Sequence, residues 1–426
     1  MIKFRSYMAL FVGLGIVGGA SAATLIDSRA GISKLVPEDK EAERAANTEQ
    51  FWDPELEQNA QPAEAPEEDR IIDEDQLDLE DGPVPTTEPP GIPGIAPGRS
   101  PKSNELAPSP DAYYELDVDD LQALEVSDAA PQAYGPVPTN PQAGPYGPFQ
   151  RWSMQGKYLT WPRSIHGKLF FQKPGEGTFV CSATVINRST IATAAHCVTN
   201  GAGGWYTDFR FCPSYLQSGE NPQIGCWGWS SVVAPSIYLN TGDIDYDYAC
   251  LVTATSGTVI NDKIGNVTGW AGRAWNFSAQ QPIQQFGYPA AYPFDGGVIQ
   301  QVATTEWYES DRVPGGQVSK YVGSDLTGGS SGGGWFLSWR HPDTEFPDTD
   351  GSSTTDPYMA SGPYNGPYIN GVNSHSRCLD SCFEPPTTTA GTFWQEMGSP
   401  PFLNTSAGGE SEDVFAECLS HANNNP

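Results

Sequence analysis

The sequence predicts an all-β globular domain over residues 151–426, a sandwich or barrel, preceded by a long acidic segment. Three observations lead there. Short runs rich in β-branched and aromatic residues recur beyond residue 151, separated by clusters of Gly, Pro and Asn. All eight cysteines lie beyond residue 180. The preceding residues 24–150 carry 28 Asp and Glu against 7 Lys and Arg, most of the chain's net charge of −30.

The chain opens with a short basic start (Lys3, Arg5), an apolar run from Met8 to Val17 and the small residues GGASAA. That order predicts a secretory signal over residues 1–23 rather than a membrane span. Residues 24–150 then read as an acidic, Pro/Gly-rich prosegment. Stretches such as PTTEPPGIPGIAPG have no apolar period and cannot bury enough surface to offset the entropy of ordering, so most of the segment is expected to be disordered. DVDDLQALEV, residues 117–126, is the exception, with acidic residues opening two or three turns of helix. This acidity argues against nucleic acid and against anionic membrane surfaces as partners.

The expected strands follow in order: GKLFF, TFVCSATVI, STIATAA, DYACLVTA, QPIQQFGY, GGVIQQVATTEW and YINGVNS. One helix is expected near the C-terminus, SEDVFAECLSHA, where Ser411 and two acids form the N-terminal signal. An even cysteine count in an exported chain implies disulfides, whose pairing spacing alone leaves open. Cys378 and Cys382 lack the second close pair that a zinc site needs. DTDGSSTTD lacks the spacing and glutamate of a calcium loop.

Three short motifs carry chemistry. His196 ends a strand-like run beside small residues, in TAAHC. Asp243, Asp245 and Asp247 alternate in GDIDYDYACLV, and only Asp247 directly precedes an unbroken strand run. In SDLTGGSSGGGWF, residues 324–336, glycines flank two serines. A hydroxyl nucleophile needs a base, and the anion it makes needs fixed N–H donors. A turn that converges N–H groups adopts backbone angles that glycine reaches at least cost. Singly, such a histidine is more often a packing residue and such an acid more often solvated, while the glycine–serine run reads as readily as a linker.

Together, in the order His, Asp, Ser, TAAHC, DYACLV and GGSSGGG resemble the trypsin/chymotrypsin-like serine peptidases, and the opening GKLFF…CSATVI…TAAHCV is more similar to their bacterial glutamyl-endopeptidase (V8-like) branch. The resemblance runs from about Ile165 to the C-terminal helix. It implies two packed antiparallel β-barrels with the site between them, and a secreted endopeptidase acting on proteins or peptides. It implies His196 as general base and acid, Asp247 as its orienting partner and Ser331 as nucleophile, since only Gly329-Ser330-Ser331-Gly332-Gly333 fits the family register. It further implies an oxyanion hole from the N–H groups of Gly329 and Ser331, a Cys181–Cys197 disulfide, a monomer, and no metal or organic cofactor.

Ser330 stands where animal members carry an aspartate that pairs with a newly cut N-terminus, so activation through that ion pair is not expected. Gly334 replaces a frequent proline, and residues 340–368 read as an insertion. Specificity stays open. Asp325, six residues before Ser331, matches the place of a Lys- or Arg-selecting acid, while Ser374, His375 and Ser376 belong to the strand expected to line the substrate. The alternative function is a peptidase fold serving as a non-catalytic binding or surface module.

Overall fold

In a computed structural model the described residues are 23–29, 31–37, 48, 51–63, 91–92, 149–153, 161–217, 219–276, 282–291, 294–311, 318–337, 367–378, 395–404 and 410–424. Five strands precede the expected domain or straddle its start: β1 (Ala23–Arg29), β2 (Ile32–Pro37), β3 (Gln61–Pro62), β4 (Gly91–Ile92) and β5 (Phe149–Ser153). The next six are β6 (His166–Lys173), β7 (Gly177–Asn187), β8 (Thr190–Thr193), β9 (Thr207–Pro213), β10 (Trp229–Pro235) and β11 (Ala249–Thr253). The last eight are β12 (Gly272–Ala274), β13 (Pro282–Gly287), β14 (Gln300–Asp311), β15 (Val318–Gly323), β16 (Gly334–Leu337), β17 (Tyr368–Val372), β18 (His375–Cys378) and β19 (Gln395–Ser399).

Among the described residues these strands form two sheets. The first runs β1-β2-β10-β11-β8-β7-β6-β9, with β3 added beside β7. It curls closed where Phe211 and Trp227 exchange backbone hydrogen bonds at 2.8 Å, next to the Cys212–Cys226 disulfide. The second runs β18-β19-β15-β14-β13-β16-β17-β12-β4, with β5 on β14. Only Asn373 and Ser374 separate β17 from β18, which lie far apart in that order, so this sheet also bends back on itself. The fold is thus the expected all-β pair of antiparallel barrels, with a C-terminal helix.

The first barrel encloses a large aromatic core. Phe171 stacks on Tyr206 at 5.2 Å, and Phe209 meets Trp229 edge-on at 5.1 Å. Neighbouring strand residues point to opposite faces, so Phe170 points away from Leu169 and Phe171. All three are nevertheless buried. Trp52 packs on Phe170, its ring 5.5 Å from that of Phe170, and the Tyr215 ring also lies 5.4 Å from it.

Trp52 belongs to the acidic segment, parts of which are ordered against the domain: Gly91–Ile92 pair with β12, Phe149 and Gln150 with β14, and two longer stretches lie on the first sheet. Residues 32–37 pair antiparallel with β10 and cover what would otherwise be an open sheet edge. Lys34 extends to Glu417 in a buried ion pair at 3.1 Å. Residues 51–63 form a short helix, α1 (Pro54–Asn59), capped by Asp53, followed by β3. Composition averaged over 127 residues conceals these anchors, because a few apolar and charged side chains find partners on a finished surface rather than in a core of their own. Residues 1–22 of the expected signal, the helix expected at 117–126, residues 340–366 of the expected insertion and Cys382 lie outside the described residues.

Three short helices complete the domain: α2 (Ser236–Thr241), α3 (Ile264–Thr268) and the longer α4 (Ser411–Asn424), which is the helix expected from SEDVFAECLSHA. Helix α4 packs on β10 and β11 with Val414, Phe415 and Cys418 fully buried. Cys418 is bonded to Cys250 of β11, 168 residues earlier. A cross-link over so long a loop restricts the unfolded chain strongly. The double variant Cys250→Ala/Cys418→Ala is therefore expected to lose about 2–5 kcal/mol in a urea titration. A change below about 0.5 kcal/mol would show that the bond is not needed to dock α4.

Candidate active site

The site is assembled where the two sheets meet. Strand β8 ends at Thr193, and a single 3-10 turn, Ala195–Cys197, follows with His196 at its centre. Ala194 and Ala195 are both fully buried, which lets the turn sit tightly against its neighbours. The Cys181–Cys197 disulfide ties the turn to β7, as the resemblance implied.

The three alternating acids separate cleanly. Asp243 caps the 3-10 turn Ile244–Tyr246 by accepting the N–H of Asp245. Asp245 turns to the second sheet, where its Oδ1 accepts from Ser319 at 2.7 Å. Asp247, at the entrance to β11, meets the histidine. Its Oδ2 lies 2.7 Å from His196 Nδ1, and its Oδ1 accepts the His196 backbone N–H at 2.7 Å. Holding both ring and backbone fixes the imidazole's orientation and leaves Nε2 as the ring nitrogen not bonded to Asp247.

A third donor reaches Asp247 from the second sheet. Ser374 donates to Oδ2 at 2.6 Å. Its single proton being so used, Ser374 accepts from His375 Nδ1 at 3.0 Å, and His375 Nε2 then accepts from the hydroxyl of Tyr321 at 3.0 Å. Burial alone would push the Asp247 carboxyl up. The His196 attraction, the His196 ring and backbone bonds and the Ser374 bond outweigh it and hold Asp247 below its ordinary value.

The Ser331 turn hangs between the sheets. Gly329 and Gly332 adopt φ of +93° and +80°, angles that other residues reach only with strain. Ser182 of β7 donates its backbone N–H to Ser331 O at 2.7 Å and its hydroxyl to Gly329 O at 2.9 Å. From the other side, Asn373 donates its amide to Ser330 O at 3.0 Å, while Gly332 N–H donates to Asn373 O at 2.7 Å. A side chain at 332 would strike Thr193, Ser182 and the Ala194 nitrogen, so the turn lies directly against the strand end that carries His196. Both His196 Nε2 and Ser331 Oγ are enclosed, and neither has a hydrogen-bond partner among the described residues.

Other sequence candidates take different places. Asp325 is 8% exposed, and Arg151 of β5 donates to it at 2.7 Å while lying over the Phe294 ring. Its carboxylate is thus already paired with a cation from the same chain. Ser374 and His375 spend their side chains on Asp247 and Tyr321, and Ser376 is a position on β18. His166 is buried, stacked on Phe286 at 4.2 Å, a packing residue. Ser182 and Asn373, which hold the serine turn, escaped the sequence reading because a strand serine and a loop asparagine are too common to stand out.

Two clusters of possible metal-binding side chains occur among the described residues: Cys181, His196 and Cys197, and Glu57, Cys212 and Cys226. In each, the two cysteines are disulfide-bonded and offer no thiolate.

No family model matches the chain. An extracellular metalloprotease of Bacillus subtilis (strain 168) is 25% identical over 119 residues, 28% of this chain. The match spans only 34% of that relative's length. Solved structures similar to the chain are proteases. A thermostable serine protease from an extremophilic microorganism shares 28% identity at a TM-score of 0.44, over 60% of this chain and 98% of that one. The protease Anisep from Arthrobacter nicotinovorans shares 26% at 0.43, over 61% and 95%. A Glu endopeptidase shares 19% at 0.37, over 64% and 95%.

Removing the hydroxyl that serves Asp247 gives a test of this electrostatic arrangement. A carboxyl held low in the folded state contributes stability above its unfolded value, near pH 3.9, and loses it as pH falls through the folded value. Ser374→Ala raises that folded value, so about 1 kcal/mol is already gone at neutrality, and the acid loss that remains is smaller and complete at a higher pH. Urea titrations from pH 7 to about pH 3 measure it. An acid limb identical to the parent's would remove Ser374 from the account.

Proposed function

We propose that the protein is a secreted serine endopeptidase that hydrolyses peptide bonds through an acyl-enzyme. The observation that carries this reading is the chain Ser374–Asp247–His196, with its free end, His196 Nε2, enclosed beside the glycine-flanked turn of Ser331. In this reading Ser331 Oγ attacks the scissile carbonyl as Nε2 takes its proton. The carbonyl π electrons move to oxygen, and the N–H groups of Gly329 and Ser331 receive the oxyanion. Nε2 then gives its proton to the departing amine, and water repeats the sequence to release the acid. Asp247, ionised and buried, stabilises the imidazolium throughout.

Three disulfides fit an oxidising compartment, and among the described residues no helix is long and apolar enough to cross a membrane. Within the trypsin/chymotrypsin-like proteases we place the chain nearest the bacterial glutamyl-endopeptidase branch, on the strength of its GKLFF and TAAHCV motifs. Ser330 favours an activation that needs no ion pair at a new N-terminus: its hydroxyl donates to Thr327 O at 2.7 Å. The Arg151–Asp325 pair disfavours selection of Lys or Arg, because a substrate cation would have to displace a buried guanidinium.

A fluorophosphonate is expected to form an adduct on Ser331 that His196→Ala abolishes. Asp247→Asn should keep the fold and lower kcat on the order of 10⁴-fold, the known effect of the wrong imidazole tautomer in such triads. Activity that survives Asp247→Asn but vanishes in Asp245→Asn would reassign the acid. A correctly processed protein that takes no label would favour the non-catalytic binding module.

A further inference from the structure

The serine turn already has an occupant. The backbone N–H of Gly329, one of the two donors that would receive an oxyanion, donates to the carbonyl of Ala63 at 3.1 Å. Ala63 in turn donates its N–H to Val180 O of β7 at 2.9 Å, extending the parallel pairing of Gln61 and Pro62 with Phe179 and Val180. A side chain at Gly328 would meet the Ala63 carbonyl at 3.2 Å and Pro62 at 3.5 Å, so a bare backbone at 328 is what admits the segment.

The contact is anchored well away from the turn. Trp52 is 3% exposed, packs on Phe170 and donates its indole N–H to Asp208 O at 2.6 Å. Glu57, also buried, is ion-paired with Arg210 and accepts from the Tyr215 hydroxyl at 3.2 Å. Arg210 is shared with Glu220 at 2.6 Å. An aromatic side chain seated on apolar surface beside a buried ion pair is the make-up of a binding hot spot.

We infer that the outer face of β6, the start of β7 and the Gly328–Gly329 turn form a peptide-binding track whose partner is the chain's own residues 51–63, and that this segment inhibits the site by occupying the Gly329 donor. The inference rests on the serine-peptidase reading above. The segment holds the site without presenting itself for cleavage. Ala63 O takes the Gly329 donor, whereas acyl transfer needs the carbonyl on both N–H groups with its carbon at Ser331 Oγ. Among the described residues, Ser331 Oγ has no hydrogen-bond partner and is shut off from solvent. The partner's chemistry is specific: an extended backbone ending in Pro-Ala, preceded by a tryptophan and, five residues after it, a carboxylate.

Full-length protein and two full-length variants test this. Trp52→Ala/Glu57→Gln removes both anchors, and Ala63→Pro removes the N–H given to Val180 and sets a ring against that carbonyl. Hydrogen exchange at the Gly329 amide reports docking whatever the activity, and fluorophosphonate labelling reports access to Ser331. Both variants are expected to exchange at Gly329 and label at Ser331 about tenfold faster or more than the parent. A synthetic peptide of residues 51–63 is expected to slow labelling of the double variant again. Faster exchange with unchanged labelling overturns the inhibition and leaves the peptidase reading standing. Absence of label in every form, released or not, overturns both. A new N-terminus at Glu64 in the parent but not in His196→Ala would make the segment a substrate and overturn its role as inhibitor.

Discussion

Everything at the site depends on a four-residue turn being hung from two sheets at once. Residues 330–333 have no sheet pairing of their own. Ser182 holds the turn from the first barrel and Asn373 from the second, through bonds of 2.7–3.0 Å to its carbonyls and N–H groups. The same division governs the acid: Asp247 and His196 come from the first barrel, and Ser374 reaches across from the second. Neither barrel alone presents a complete constellation. The relative position of the two sheets therefore sets the position of the Ser331 turn relative to His196.

This dependence explains why so much buried polarity is concentrated at the seam. Ser182, Asn373, Ser374, His375 and Asp247 are at most 1% exposed. Burying each without a partner would cost on the order of 1–3 kcal/mol, so the network is stable only when all its bonds form together. A slight slide between the barrels would leave several groups unsatisfied at once. Apolar contact alone, being non-directional, would tolerate that slide far more readily.

How much of this was legible in the sequence follows from the range of each interaction. His196 and Cys197 share one short motif, and Ser331 lies in a run whose glycines have a local reason to be there. Asp247 was separable from Asp243 and Asp245 because a strand follows it immediately. The recurrence of β-branched runs gave the fold class. By contrast, Arg151 finds Asp325 across 174 positions, and Glu57 finds Arg210 across 153. No local pattern encodes such pairs, and Trp52 and Glu57 were submerged in an acidic, proline-rich composition. Asp325 is the instructive case: its spacing from Ser331 was correct for a pocket acid, and only the folded chain reveals that Arg151 already faces it.

The bond between Cys250 and Cys418 also fixes an order of events. A ribosome delivers Cys250 long before its partner, 168 residues downstream. Until α4 arrives, the strand that begins two residues after Asp247 carries an unpaired thiol, while Cys378 and Cys382 emerge. Cys181–Cys197 and Cys212–Cys226 span only 16 and 14 residues and can close early. The first barrel is thus stapled from its near end while its far wall stays open, and the backing behind Asp247 is completed only when the last helix is in place.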